Sequence, residues 1–111
     1  MDKGQMKKGV LEMCILHICT GTDMYGYEIM KRVTEAFPEI SESTVYAVLR
    51  RLSTDGSTES YTGTVSGGPQ RKYYCITPKG REELTAMTEM WKSTVAAVGK
   101  IGIKVSDTNN Q

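Results

Sequence analysis

Four basic side chains, Arg71, Lys72, Lys79 and Arg81, fall between positions 60 and 81, and no Asp or Glu falls among them. Cations gathered beside a Ser66-Gly67-Gly68-Pro69 turn suit phosphate oxygens, whose condensed counterions they displace. A second group is Ser43, Thr44, Ala47, Arg50 and Arg51. Small and hydroxyl side chains at the start of a helix let it enter a groove ~12 Å wide. Backbone N–H groups at that end take a phosphate, and an arginine one to two turns on reaches phosphate or a guanine edge. Arg50 and Arg51 are adjacent, so both cannot face one groove, and one is left to solvent or an ion pair. A third group is Cys14, His17, Cys19 and Cys75. Positions 14 and 17 share a helical face, but position 19 lies well around the axis. There is no tight CxxC pair of the kind that builds tetrahedral zinc. Cysteine is among the most buried residue types, so core packing is the simpler reading, and no metal or cofactor is expected. No clustered nucleophile, base and orienting group appears, and Gly67-Gly68 belongs to no P-loop or dinucleotide fingerprint.

The whole chain hides this grouping. It has 111 residues, enough for one domain, with 14 Lys plus Arg against 13 Asp plus Glu and a formal net charge of +1. Residues 12–59 carry eight acids and four bases, whereas residues 1–11 hold Lys3, Lys7 and Lys8 against Asp2. A polyanion feels the local field, screened beyond ~10 Å, more than the total. With 39% apolar and 24% charged residues, a folded soluble domain is expected and wholesale disorder is not. No run approaches the ~18–20 apolar residues of a membrane span. The stretch Val10 to Cys19 follows lysines, as export signals do. It contains Glu12 and His17, however, and no small-residue cleavage site follows it. A cytoplasmic protein with free thiols is therefore expected.

The elements that must position these groups follow from periodicity. Residues 6–19 read as a first helix with two apolar stripes, Met6, Val10, Met13, Cys14 and Ile18 on one and Leu11, Ile15, Leu16 and Cys19 on the other. A helix apolar nearly all round is covered on most sides; in a domain this small it lies between two layers or two subunits. A second helix runs from about Tyr25 to Phe37, where Pro38 ends it. A third begins near Ser41, a good N-cap, with Val45, Val48, Leu49 and Leu52 as its core stripe and Gly56 placed to end it in a left-handed turn. Residues 58–65 and 70–77 read as a β-hairpin. Thr77-Pro78 opens a last helix, on which Leu84, Met87, Trp91, Val95 and Val98 approach a heptad seam. The expected fold class is mainly α with a small β-hairpin, a winged helix-turn-helix plus a C-terminal dimerisation helix. Residues 1–78 would form the DNA-binding unit, 79–105 the dimerisation helix and 106–111 a frayed tail.

Three stretches carry a more specific resemblance: Met24-Tyr25-Gly26-Tyr27-Glu28-Ile29, then Ser43 to Leu52 (STVYAVLRRL), then Gly68 to Gly80 (GPQRKYYCITPKG). In that order and spacing they resemble the PadR family of bacterial winged-helix transcriptional regulators, over residues from about 5 to 98. The single C-terminal helix is similar to the short-tailed branch that includes multidrug-sensing repressors. The resemblance implies a homodimer built from the first and last helices, double-stranded operator DNA as partner, repression as the usual outcome and no catalysed reaction. It implies Ser43, Thr44, Tyr46 and Arg50 at the DNA face, Arg71 and Lys72 as wing contacts, and Tyr25 near a phosphate. It also implies that Trp91 pairs with its symmetry mate in a flat aromatic slot, with Met6 and Met13 lining the same cavity for a planar aromatic or hydrophobic effector. The same methionines suit an ordinary core, Trp91 a plain interface, and Tyr46 simple packing under its helix.

One departure stands out. After the glycine that ends the third helix, the family usually has bulky apolar residues, whereas Gly56 is followed here by Ser57-Thr58. That implies a looser wing or a compensating contact. Two rival readings remain open at this point: a metal- or thiol-responsive regulator using Cys14, Cys19 or Cys75, and a ligand-binding dimer whose DNA affinity is weakened.

Overall fold

A computed structural model of the chain describes residues 3–64 and 68–104, without the side chains of residues 3–7. The order is α1 (Lys3–Ile18), β1 (Met24–Tyr25), α2 (Gly26–Ala36), α3 (Glu42–Thr54), β2 (Thr58–Gly63), β3 (Arg71–Ile76) and α4 (Pro78–Ile101). The expected tail, residues 106–111, and the wing tip, residues 65–67, lie outside the described residues. No helix of the described residues is long and apolar enough to cross a membrane.

The two stripes of α1 divide its work. Leu11, Ile15, Leu16 and Cys19 are buried in the core. Val10, Met13, Cys14 and Ile18 are only half-buried. The core closes with Ile29, Met30 and Val33 from α2, and with Val45, Val48, Leu49 and Leu52 from α3. Ile15, Leu16, Ile29 and Leu49 are wholly buried, and each such side chain contributes roughly 1.5–3 kcal/mol relative to exposure.

The hairpin has an additional strand. Met24–Tyr25 pairs antiparallel with β3, giving a three-stranded sheet in the order β1-β3-β2. The second helix accordingly starts at Gly26, with Tyr25 as its extended N-cap. Two residues are too few to show strand alternation, and their extended backbone is fixed by β3 rather than by their own propensity. Gly26 is where the elements meet: a Cβ there would lie 3.2 Å from the Tyr46 ring and 3.5 Å from the Tyr74 ring.

Ser41 caps α3 by accepting from the Thr44 backbone N–H at 3.2 Å, and Gly56 ends that turn at φ +81. The Ser57-Thr58 departure is resolved by polar contacts. Both residues are 2% exposed. The Ser57 hydroxyl donates to the Glu83 carboxylate of α4. The Ser57 carbonyl accepts from the Thr77 N–H at 3.1 Å and lies 3.0 Å from the Thr77 hydroxyl. Ser53 and Thr58 hydroxyls pair at 3.1 Å. The wing base is thus held by hydrogen bonds to the start of α4 where the family pattern uses apolar packing, which is the compensating contact of the two alternatives.

Beyond Leu84 and Met87, α4 leaves the core. Trp91 is 45% exposed, Met90 71% and Ile101 82%. Gly102, at φ +117, ends the helix in the left-handed conformation.

Candidate nucleic-acid interface

Ser43, Thr44, Ala47 and Arg50 are all exposed along one side of α3. Ser41, at the cap, has its hydroxyl 2.8 Å from that of Thr44 and 3.2 Å from that of Ser43. The helix therefore presents a slim, hydroxyl-rich N-terminal turn. The dipole there favours an anion. Arg51 forms an ion pair with Glu12 of α1 and turns away from this surface. Arg50 is the arginine left free to reach outward. The division between the two follows from Glu12, 39 residues upstream, which sequence spacing alone could not supply.

Tyr46 is half-buried, its ring against Gly26 at the start of α2. Burial pushes its hydroxyl above the usual tyrosine range, with Glu42, Tyr27 and Tyr25 adding to the effect. Tyr74 beside it is buried and shifted upward chiefly by desolvation, while Arg50 pulls the other way.

The wing cations lie on opposite faces of β3, as successive strand residues must. The Arg71 guanidinium carbon is 4.4 Å from the Tyr25 ring centroid. Lys72 is exposed, with its ammonium 6.0 Å from the Tyr74 ring. Tyr25, Arg71 and the first turn of α2 come together; Ser43, Thr44 and Arg50 form a neighbouring group on α3. Sequence reading missed Tyr27 at the start of α2, and Tyr61 and Tyr73 on the sheet, which extend an aromatic row to either side of Tyr25. Tyr61 stacks on Tyr73 at 5.6 Å, and its hydroxyl donates to Asp23 at 2.6 Å. That bond is the main reason its pKa is pushed up to about 12. Six tyrosines in 111 residues, with Tyr25 and Tyr27 two apart and Tyr73 beside Tyr74, were the available signal.

The expected effector residues sit apart from this surface. Trp91 and Met13 line a cleft of about 340 Å³ between α1, α2 and α4, with Cys14, His17, Arg32 and Phe37. The same pair lines a second hollow of about 300 Å³ with Met87 and Met90. The Met6 side chain lies outside the described residues. The cysteines do not gather with His17: among the described residues no three His, Cys, Asp or Glu side chains are placed to hold a metal. Burial, followed by Cys75 and Asp23, pushes the Cys19 thiol to about 12, so it is not a ready thiolate.

Three helices, a capped third helix with an open polar face and a cationic β-wing beside it define a winged helix-turn-helix of the DNA-binding type. The family model of PadR-like transcriptional regulators matches residues 15–86. Among solved structures, a PadR-like transcriptional regulator from Bacillus cereus is 38% identical with a TM-score of 0.79, covering 87% of this chain and 95% of its own. A Streptococcus transcriptional regulator superposes with a TM-score of 0.82 at 30% identity, covering 89% and 98%. A PadR-like transcription factor from Bacteroides fragilis is 34% identical with a TM-score of 0.74, covering 90% and 97%. The chain belongs to the PadR-like family of transcriptional regulators and is a DNA-binding regulator.

Proposed function

We propose that the chain is a cytoplasmic, homodimeric repressor that binds a pseudo-palindromic operator and is released or engaged by a small hydrophobic effector. The observation that carries this reading is the division of labour in the surface. Exposed hydroxyl and cationic side chains line α3 and the wing. The large non-tyrosine apolar side chains left exposed on a helix, Met90, Trp91 and Ile101, lie on the far half of α4. Ser43, Thr44, Tyr46 and Arg50 would meet DNA from α3, Tyr25 from the N-cap of α2, and Arg71 and Lys72 from the wing.

Trp91, Met90 and Ile101 are large apolar residues left exposed on one helix, beside the half-buried stripe of α1. Covering them with a second copy would remove that surface from water. The chain is accordingly expected to sediment as a dimer at micromolar concentration. A monomer in the ultracentrifuge would remove the two-headed arrangement. A planar aromatic effector would meet Trp91 and Met13, with Met6 the third residue of that set. Methionine adapts its shape to varied ligands. Such a ligand shifts DNA affinity only by binding the two separations of the reading heads unequally. Flat aromatic compounds are expected to quench the emission of Trp91, the single tryptophan. Unchanged emission across a broad panel would remove the effector site from Trp91. The wing base, hydrogen-bonded to α4, supports a DNA-competent wing over the reading of weakened affinity.

A further inference from the structure

At the junction of α2 and the sheet, two cations rest on two neighbouring tyrosine rings. Tyr25 pairs with Tyr73 across β1 and β3, and their rings meet edge-on at 5.9 Å. The Tyr27 ring lies 6.3 Å from that of Tyr25 at only 19° between planes. Tyr25 carries the Arg71 guanidinium at 4.4 Å and Tyr27 carries the Lys31 ammonium at 5.9 Å. Arg71 comes from the wing, Lys31 from one turn further along α2 than Tyr27. Neither cation has an ion-pair partner among the described residues. Tyr27 is 51% exposed and Lys31 is exposed.

A long basic side chain usually loses considerable rotamer entropy when it grips an anion. A ring beneath it restricts it beforehand without neutralising it, because the attraction comes from the π face rather than a carboxylate. Two such supported charges, carried on rings 6.3 Å apart, match the needs of adjacent phosphodiesters. The first turn of α2 lies at the same place, and its Glu28 carboxylate is engaged by the Tyr25 backbone N–H at 3.3 Å. A carboxylate-bearing partner would be served equally by one cation. Two in a row, at the seam between helix-turn-helix and wing, favour a repeating polyanion.

We propose that Tyr25–Arg71 and Tyr27–Lys31 form a paired seat for consecutive phosphates of one DNA strand, which adds Tyr27 and Lys31 to the interface as a contact bridging wing and α2. Lys31 and Arg71 touch phosphate; the two rings are positioning residues. The seat rests on the DNA-binding reading above.

Salt titration of binding to a labelled random-sequence duplex tests it, since such binding reports phosphate contacts alone. Lys31→Ala is expected to reduce the slope of log affinity against log salt by ~1, and Lys31→Arg to retain it. Tyr27→Leu is expected to weaken binding about two- to fivefold. It should cost nothing further when Lys31→Ala is already present, and Tyr27→Phe should behave as the parent. These side chains are exposed, so thermal midpoints should stay at the parent value. A slope unchanged by Lys31→Ala, or losses from Tyr27→Leu and Lys31→Ala that simply add, would overturn the seat while leaving DNA binding intact. A parent protein with no salt-dependent binding to the duplex would overturn the DNA-binding reading and the seat together.

Discussion

Gly80→Ala is expected to lower the thermal midpoint by about 10 °C or more, corresponding to about 3 kcal/mol. Gly80 is the buried residue of α4, in its first turn. A Cβ there would stand 2.1 Å from the Ser57 carbonyl oxygen and 2.8 Å from Ile76 Cγ1. The oxygen cannot retreat freely, because it accepts from the backbone N–H of Thr77. Thr77 in turn caps α4 by accepting from the Gly80 N–H at 3.0 Å. A methyl group at position 80 therefore pushes apart the wing base and the helix that joins it to the rest of the molecule. Gly99 provides the contrast. A Cβ there meets nothing within 4 Å, so Gly99→Ala is expected to be neutral or to stabilise by up to ~1 kcal/mol through helix propensity. Melting curves at one fixed protein concentration check both, since an associating chain has a concentration-dependent midpoint. Parent-like melting of Gly80→Ala would mean that α4 and the wing base do not approach as closely as described.

Arg71→Ala combined with Lys72→Ala is expected to flatten the salt dependence of DNA binding by ~2 in the log–log slope. At physiological salt the loss should be on the order of tenfold or more, because each proposed phosphate contact would be a charge-assisted hydrogen bond. The two side chains leave β3 on opposite faces, so each single variant should take about one unit of slope. Neither packs in the core, and stability should be unaffected. A mobility-shift titration with an unchanged slope would remove the wing from the interface. The two effects separate cleanly: Gly80 acts on the fold that carries the wing, Arg71 and Lys72 on the charge the wing carries.

What the sequence made legible was local. The stripe Val45, Val48, Leu49 and Leu52, the caps at Ser41 and Thr77 and the stop at Gly56 are written within a few residues of where they act. They stand where periodicity and capping placed them. The strand Met24–Tyr25 was not legible, because its extended shape is imposed by β3. Adjacent arginines implied that one would be diverted, but the partner, Glu12, lies on another helix. Ser57-Thr58 was visible as a missing apolar contact. Its replacement, the Glu83 carboxylate, is 26 residues further on and belongs to a helix whose orientation no local pattern gives. Gly80 stood in plain view within the motif, yet its reason is a backbone approach that only packing creates. The aromatic support under Arg71 was invisible for the same cause, since it depends on β1 pairing with β3; that under Lys31 is local, Tyr27 lying four residues earlier on the same helix.

Selection of bound duplexes from a random pool, with the chain at micromolar concentration, tests the two-headed DNA-binding reading most directly. The expected product is an inverted repeat whose half-sites are one helical turn apart, ~34–36 Å centre to centre, as two symmetry-related α3 helices in successive major grooves require. Recovery of a single asymmetric site, or no enrichment over the starting pool, would contradict it.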